Sequence, residues 1–222
     1  MCGRFAIFSS FQAIKNHYKI LKEIDELEKN FNLSPGQYSP IITQNQNKLF
    51  ITKMRWGLVP FWAKDEKIGY KLFNCRSETI LEKASFKYAF QKRRCLVPVN
   101  GFYEWKKPEK QPYFIHLKKQ KIFSLAAIWE SWKTPIGNTL NTFSIITTKP
   151  NKSIQNIHNR MPLIIPQKDE EKWILSRNLQ DVQSLLSPYP DENMSIIKLD
   201  NPVNDNLSNN LIREAVIIDV RR

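Results

Sequence analysis

The chain of 222 residues is short of several things, and each shortage removes a class of protein. Glycine occurs only six times. None of the six falls in a G-x-G-x-x-G or G-x-x-x-x-G-K-[ST] run, so no nucleotide-binding motif is present. No H-E-x-x-H occurs among the three histidines. The cysteines Cys2, Cys75 and Cys95 are odd in number and form no C-x-x-C pair. That argues against a disulfide framework and against a zinc knuckle. No cofactor and no metal are therefore expected. No apolar run approaches 18 residues, and no secretory leader pattern opens the chain. The expectation is a soluble cytoplasmic protein without a membrane partner, a monomer. Acid is the last shortage: 21 Asp and Glu face 34 Lys and Arg, a net charge of +13. Such a field favours a polyanionic partner, first of all nucleic acid. A lysine-rich surface with no partner is the plain alternative.

What is present is ordinary globular usage, 41% hydrophobic and 25% charged. The length suits one generous domain or two small ones. No repeat, low-complexity linker or hinge divides it, so a single domain over residues 2–222 is expected. FQAIKNHYKI reads as a short amphipathic helix. IIT and LFITKMRW read as a hairpin around QNQN. SETILEKASFKYAFQKRR is helical by composition. Strand-like runs follow: RCLVPVNGFYEW, QPYFIHLKK, IFSLAAIWESW and NTFSIITT. DEEKWILSRN and LQDVQSLL are helical again, and SIIKL and AVIIDV read as late strands. Strands outnumber helices without regular βαβ alternation. The fold class is α+β, with a mixed or antiparallel sheet or barrel-like core and flanking helices.

Four clusters could carry chemistry. Cys2-Gly3-Arg4 follows the initiator methionine, and a small residue there permits Met1 removal. The mature chain would then begin with a thiol and an α-amine on one carbon skeleton. Phe73 to Glu78 sets Asn74, Arg76 and Glu78 at alternate positions. Asn100 to Trp105 places the Glu104 carboxyl among Phe102, Tyr103 and Trp105, a setting in which desolvation raises a carboxyl pKa. His158-Asn159-Arg160-Met161-Pro162 is the fourth. Each has a bland counterpart: a frayed terminal cysteine, a strand's polar face with a surface ion pair, a carboxylate at a strand end, an ordinary loop histidine. Cys75 and Cys95 have apolar neighbours and read as buried bystanders.

MCGR at the start, N-x-R-x-E, GFYEW and H-x-R-M-P, in that order, resemble the SRAP (SOS response-associated peptidase) family. WGLVPFW at residues 56–62 is similar to a further segment of that family. The resemblance runs from residue 2 to about 165. Cys75 stands where a small residue is usual, and Asn100 precedes GFYEW. The resemblance implies a protein that senses abasic sites in single-stranded DNA and cross-links to them. The α-amine and thiol of Cys2 would close a thiazolidine on the sugar aldehyde and shield the site from strand scission. It implies that Glu104 and His158 move protons and that Asn74 hydrogen-bonds the amine or the opened sugar. Arg76 and Arg160 would grip flanking phosphates, with Arg4 a weaker candidate. Pro40 and Trp62 are candidates for wedging or stacking against bases. In a bacterium the protein would work at the nucleoid or the replication fork. Two other readings stay open. Cys2 could be the N-terminal nucleophile of a peptidase or amidase, self-removal of Met1 included. Or the chain could be a single-strand-binding module that needs no Cys2.

Overall fold

The structure, a computed structural model, describes residues 2–20, 28–199 and 206–221. The described strands are β1 Arg4–Ile7, β2 Asn30–Leu33, β3 Tyr38–Asn45, β4 Lys48–Trp56, β5 Asn74–Arg76, β6 Arg94–Val99, β7 Gly101–Lys106, β8 Gln111–Leu117, β9 Phe123–Lys133, β10 Thr139–Thr148, β11 Met161–Pro162, β12 Ile164–Ile165 and β13 Met194–Lys198. The described α-helices are α1 Phe11–Tyr18, α2 Ala84–Lys92, α3 Glu170–Leu175, α4 Leu179–Gln183 and α5 Asn206–Arg221. None is long and apolar enough to cross a membrane.

Five strands close on themselves in the order β10-β4-β3-β6-β9 and back to β10, which makes a barrel. The β4–β10 pairing is parallel and the others are antiparallel. Strand β6, RCLVPV, is buried at every position, as a strand covered on both faces should be. A second, antiparallel sheet runs β13-β8-β7-β1-β2. Its strands alternate. Phe5, Ile7, Phe102, Ile115 and Leu117 join the main core. Ala6, Phe8, Tyr103 and Phe114 face the other way, and Ile212 and Val216 of α5 cover them. The α+β class with a barrel-like core and flanking helices is what the sequence led us to expect.

Several boundaries differ from expectation. RCLVPVNGFYEW is not one strand: it breaks at Asn100, where the chain passes from barrel to second sheet. The Asn100 Oδ1 accepts from the backbone N–H of Phe8 at 2.7 Å and of Ser9 at 3.0 Å. Its Nδ2 donates to Ser9 Oγ at 2.7 Å and to the Lys121 carbonyl at 2.6 Å. Asn100 is thus a fully used buried pivot. Gly101 follows because a Cβ there would lie 2.2 Å from the Phe114 ring. Only Ala84–Lys92 of the expected long helix is α-helical, preceded by a 3₁₀ turn at Ser77–Thr79. AVIIDV is the second half of α5 rather than a strand. The β-branched run looked extended, but Ile212 and Val216, four apart, bury one helical face against the second sheet.

Candidate active site

Three strand pairings bring the motifs together. β1 pairs with β7 with Arg4 opposite Tyr103 and Phe5 opposite Phe102, so the chain start runs alongside Glu104. β5 pairs with β10, Asn74 opposite Ile145 and Arg76 opposite Thr147. β11 pairs with β10, Thr147 opposite Pro162, which carries the His158–Arg160 loop to the same place. Trp56, 1% exposed, locks the arrangement from below. Its Nε1 donates to the Phe73 carbonyl at 2.8 Å.

The result is a pocket of about 590 Å³ lined by Glu104, His158, Arg76 and Lys107 among others, with Phe73 and Trp105 as its aromatic walls. Cys2 is fully buried. Asn74 Nδ2 donates to the Cys2 carbonyl at 2.7 Å, and the Asn74 Oδ1 is buried with no hydrogen-bond partner among the described residues. The Cys2 thiol is 4.0 Å from the Arg4 carbonyl. Burial raises the thiol pKa strongly, and the nearby charge of Glu104 raises it further. Glu104 shares the inward face of β7 with Phe102 and is 2% exposed. Desolvation pushes its carboxyl up to about 7. His158 is held the opposite way, below its ordinary value, by burial first and by the Lys107 and Arg160 cations in support. Its Nδ1 accepts from the Arg160 backbone N–H at 3.0 Å. A carboxyl held up and an imidazole held down, both lining one pocket, are groups that can exchange protons with a bound molecule. Among the described residues no three His, Cys, Asp or Glu side chains converge as a metal site would require.

The model of the SOS response associated peptidase (SRAP) family matches residues 1–206. The chain belongs to the SRAP family. It is 41% identical over 216 residues to the abasic site processing protein YoqW of Bacillus subtilis, covering 94% of this chain and 96% of that one. It is 30% identical over 227 residues to the abasic site processing protein HMCES of Xenopus tropicalis, covering 87% of this chain and 68% of that one. A crystal structure of a Bacteroides thetaiotaomicron protein superposes with a TM-score of 0.80 at 31% identity, over 92% of this chain and 97% of that one.

The remaining SRAP motif residues divide between the pocket and elsewhere. Arg76 is exposed at the pocket rim. Arg160 also lines the pocket, but its guanidinium is bidentate to Glu78 at 2.7 and 2.9 Å and donates to the Thr147 carbonyl at 2.5 Å. The Glu78 carboxyl is correspondingly held below its ordinary pKa. Arg4 pairs with Tyr103, on the face away from Glu104, and its Nη1 donates to Asn32 at 3.1 Å. Pro40 is buried on β3, against a separate cavity of about 210 Å³ that also involves Tyr38 and Lys53.

The WGLVPFW segment has two roles. Trp56, Leu58 and Val59 are buried, whereas Phe61 and Trp62 are 62% and 49% exposed. Gly57, at φ +124°, sits where a Cβ would be 2.8 Å from the Gly69 carbonyl. Phe61 and Trp62 share a shallow basin with Tyr88, Lys87 and Arg93. Phe61 and Tyr88 meet edge to face at 6.4 Å. Sequence reasoning named Trp62 alone and missed Phe61, Tyr88 and Lys107. Lys107 lies two residues beyond GFYEW, but nothing in the sequence says which side of the strand end it takes. A larger groove of about 770 Å³, between the β3–β4 hairpin tip and α3, holds none of these motif residues.

Proposed function

We propose that this SRAP protein processes abasic sites in single-stranded DNA by forming a covalent thiazolidine through Cys2. The observation that carries the reading is that Glu104, held near neutrality, and His158 line one pocket while the Glu104 charge acts on the Cys2 thiol and Asn74 donates to the Cys2 carbonyl. Relatives named abasic site processing proteins support it.

Removal of Met1 leaves the Cys2 α-amine and thiol on adjacent carbons. The amine adds to the C1′ aldehyde of the ring-opened deoxyribose. A proton from Glu104 lets the hydroxyl leave as water, and the Glu104 carboxylate then takes the nitrogen proton, so an imine remains and Glu104 is protonated again. The thiol sulfur then adds to the imine carbon while the thiol proton passes, through Glu104, to the nitrogen. One water is lost overall and a five-membered ring forms. The aldehyde that drives β-elimination is consumed. The Asn74 Oδ1, without a hydrogen-bond partner among the described residues, can accept from the new amine and aim it. His158, neutral at physiological pH, can accept and return a proton at the sugar oxygens. Arg76 takes a flanking phosphate, whereas Arg160, paired with Glu78 and bonded to the Thr147 carbonyl, holds the pocket wall in place. The exposed rings of Phe61, Trp62 and Tyr88 offer stacking surfaces to neighbouring bases. Arg4 and Pro40 lie off this pocket, and any contact they make with DNA would be along the flanking strand.

The peptidase alternative needs an activated thiolate. That reading predicts cleavage of a peptide substrate and no covalent product with DNA. The test is to mix the protein with an oligonucleotide carrying one abasic site and to read denatured intact mass. The expected product has the mass of Met1-free protein plus DNA less one water. Binding without an adduct would leave only a single-strand-binding module.

A further inference from the structure

Three cationic side chains line the pocket: Arg76, Lys107 and Arg160. Arg160 is matched by Glu78. Arg76 and Lys107 are exposed, and neither has an ion pair among the described residues. Lys107 is not a lysine on a free loop. The β7–β8 ladder runs through Glu104–Tyr113 and Trp105–Pro112 to Lys106–Gln111, and Lys107 is the next residue. Its backbone is therefore placed by the same strand that carries Glu104. Its side chain is one of those that line the pocket. Its charge acts on the His158 imidazole across the pocket.

Two uncommitted cations on one pocket match the chemistry of a nucleic-acid strand, in which every sugar lies between two phosphates. The match also answers an electrostatic difficulty. Glu104 and Glu78 both lie close by, and a phosphodiester approaching a partly ionised carboxylate is repelled unless cations oppose it. We propose that Lys107 is a positioning residue of this pocket. With Arg76 it forms a two-cation clamp that takes the successive phosphates on either side of one sugar and centres that sugar over Glu104 and His158. This deepens the abasic-site reading and rests on it. Arg76 supplies a planar bidentate fork and Lys107 a compact point charge on a flexible stem, so the clamp can close after the strand enters.

The test compares Lys107→Ala, Lys107→Arg and Lys106→Ala with the parent on one abasic single-stranded oligonucleotide. Lys106→Ala removes the same charge from the neighbouring exposed residue, which does not line the pocket. Lys107→Ala should raise the half-saturating DNA concentration about tenfold and lower the saturating cross-linking rate. Its slope of log affinity against log salt should flatten by about 0.7, one phosphate contact on a single strand. The rate's histidine limb should move to higher pH, because a cation beside His158 has gone. Lys107→Arg should restore all four readouts, and Lys106→Ala should leave the rate and the pH limb at parental values. If the parent cross-links and Lys107→Ala matches Lys106→Ala, the clamp is wrong and the abasic-site reading stands. A Lys107→Ala deficit that arginine does not restore also overturns the clamp. If the parent forms no adduct, the abasic-site reading falls and the clamp falls with it.

Discussion

Replacing Glu104 with glutamine should stabilise the protein at alkaline pH and change it little in acid. The folded protein holds the Glu104 carboxyl at about 7, whereas its ordinary value is 4.5. Between those two values the folded state keeps a proton that the unfolded chain has released. The folded state therefore binds more protons, and stability falls as pH rises across that window. The loss is absent below 4.5, is complete above 7, and at 1.36 kcal/mol per pH unit reaches about 3 kcal/mol. Because Glu104 is 2% exposed, solvent screening discounts this little. Glutamine keeps the shape and cannot ionise, so the variant escapes the loss. Its melting temperature relative to the parent should rise by roughly 6–12 °C between pH 4.5 and pH 8. Chemical or thermal denaturation at half-unit pH steps reads this without any DNA. A difference between variant and parent that stays flat from pH 4.5 to 8 would refute the desolvated carboxyl, whatever the variant does to activity.

Other outcomes follow from the same geometry. Gly101→Ala should lower the unfolding free energy by about 1–3 kcal/mol in denaturant titration, since its Cβ would press on the Phe114 ring. Arg160→Ala should cost about 1 kcal/mol of stability through the lost Glu78 and Thr147 contacts. Arg76→Ala should leave stability within about 0.5 kcal/mol while flattening the salt dependence of single-strand binding by about 0.7. Trp62→Ala, which removes an exposed ring, should spare the fold and weaken binding to undamaged single strands by about 1–3 kcal/mol, measured by fluorescence anisotropy.

The motif residues were more legible in the sequence than the topology that gathers them. Cys2, Asn74, Glu104 and His158 announce themselves by residue type and by neighbours, and strand pairing delivers all four to one place. Their convergence could not be read from spacing, because it depends on β10 serving as a hub for β5 and β11. Arg160 looked like Arg76 in sequence, and only the fold shows that Glu78, two residues beyond Arg76, neutralises it. AVIIDV misled because β-branched residues prefer strands, yet the apolar back of the second sheet needs a cover and a helix supplies it. Phe61 and Tyr88 come from separate elements, so no local pattern joins them.

The central claim is that the reacting group is the free aminothiol of Cys2. It is tested most directly by presenting one abasic oligonucleotide to two forms of the protein that differ only in their first residues. One begins at Cys2, and the other carries an uncleaved extension ahead of it. Denatured intact mass and peptide mapping read the product. The form that begins at Cys2 should convert to an adduct mapped to Cys2, and the extended form should give none. A full yield of adduct from the extended form would contradict the account.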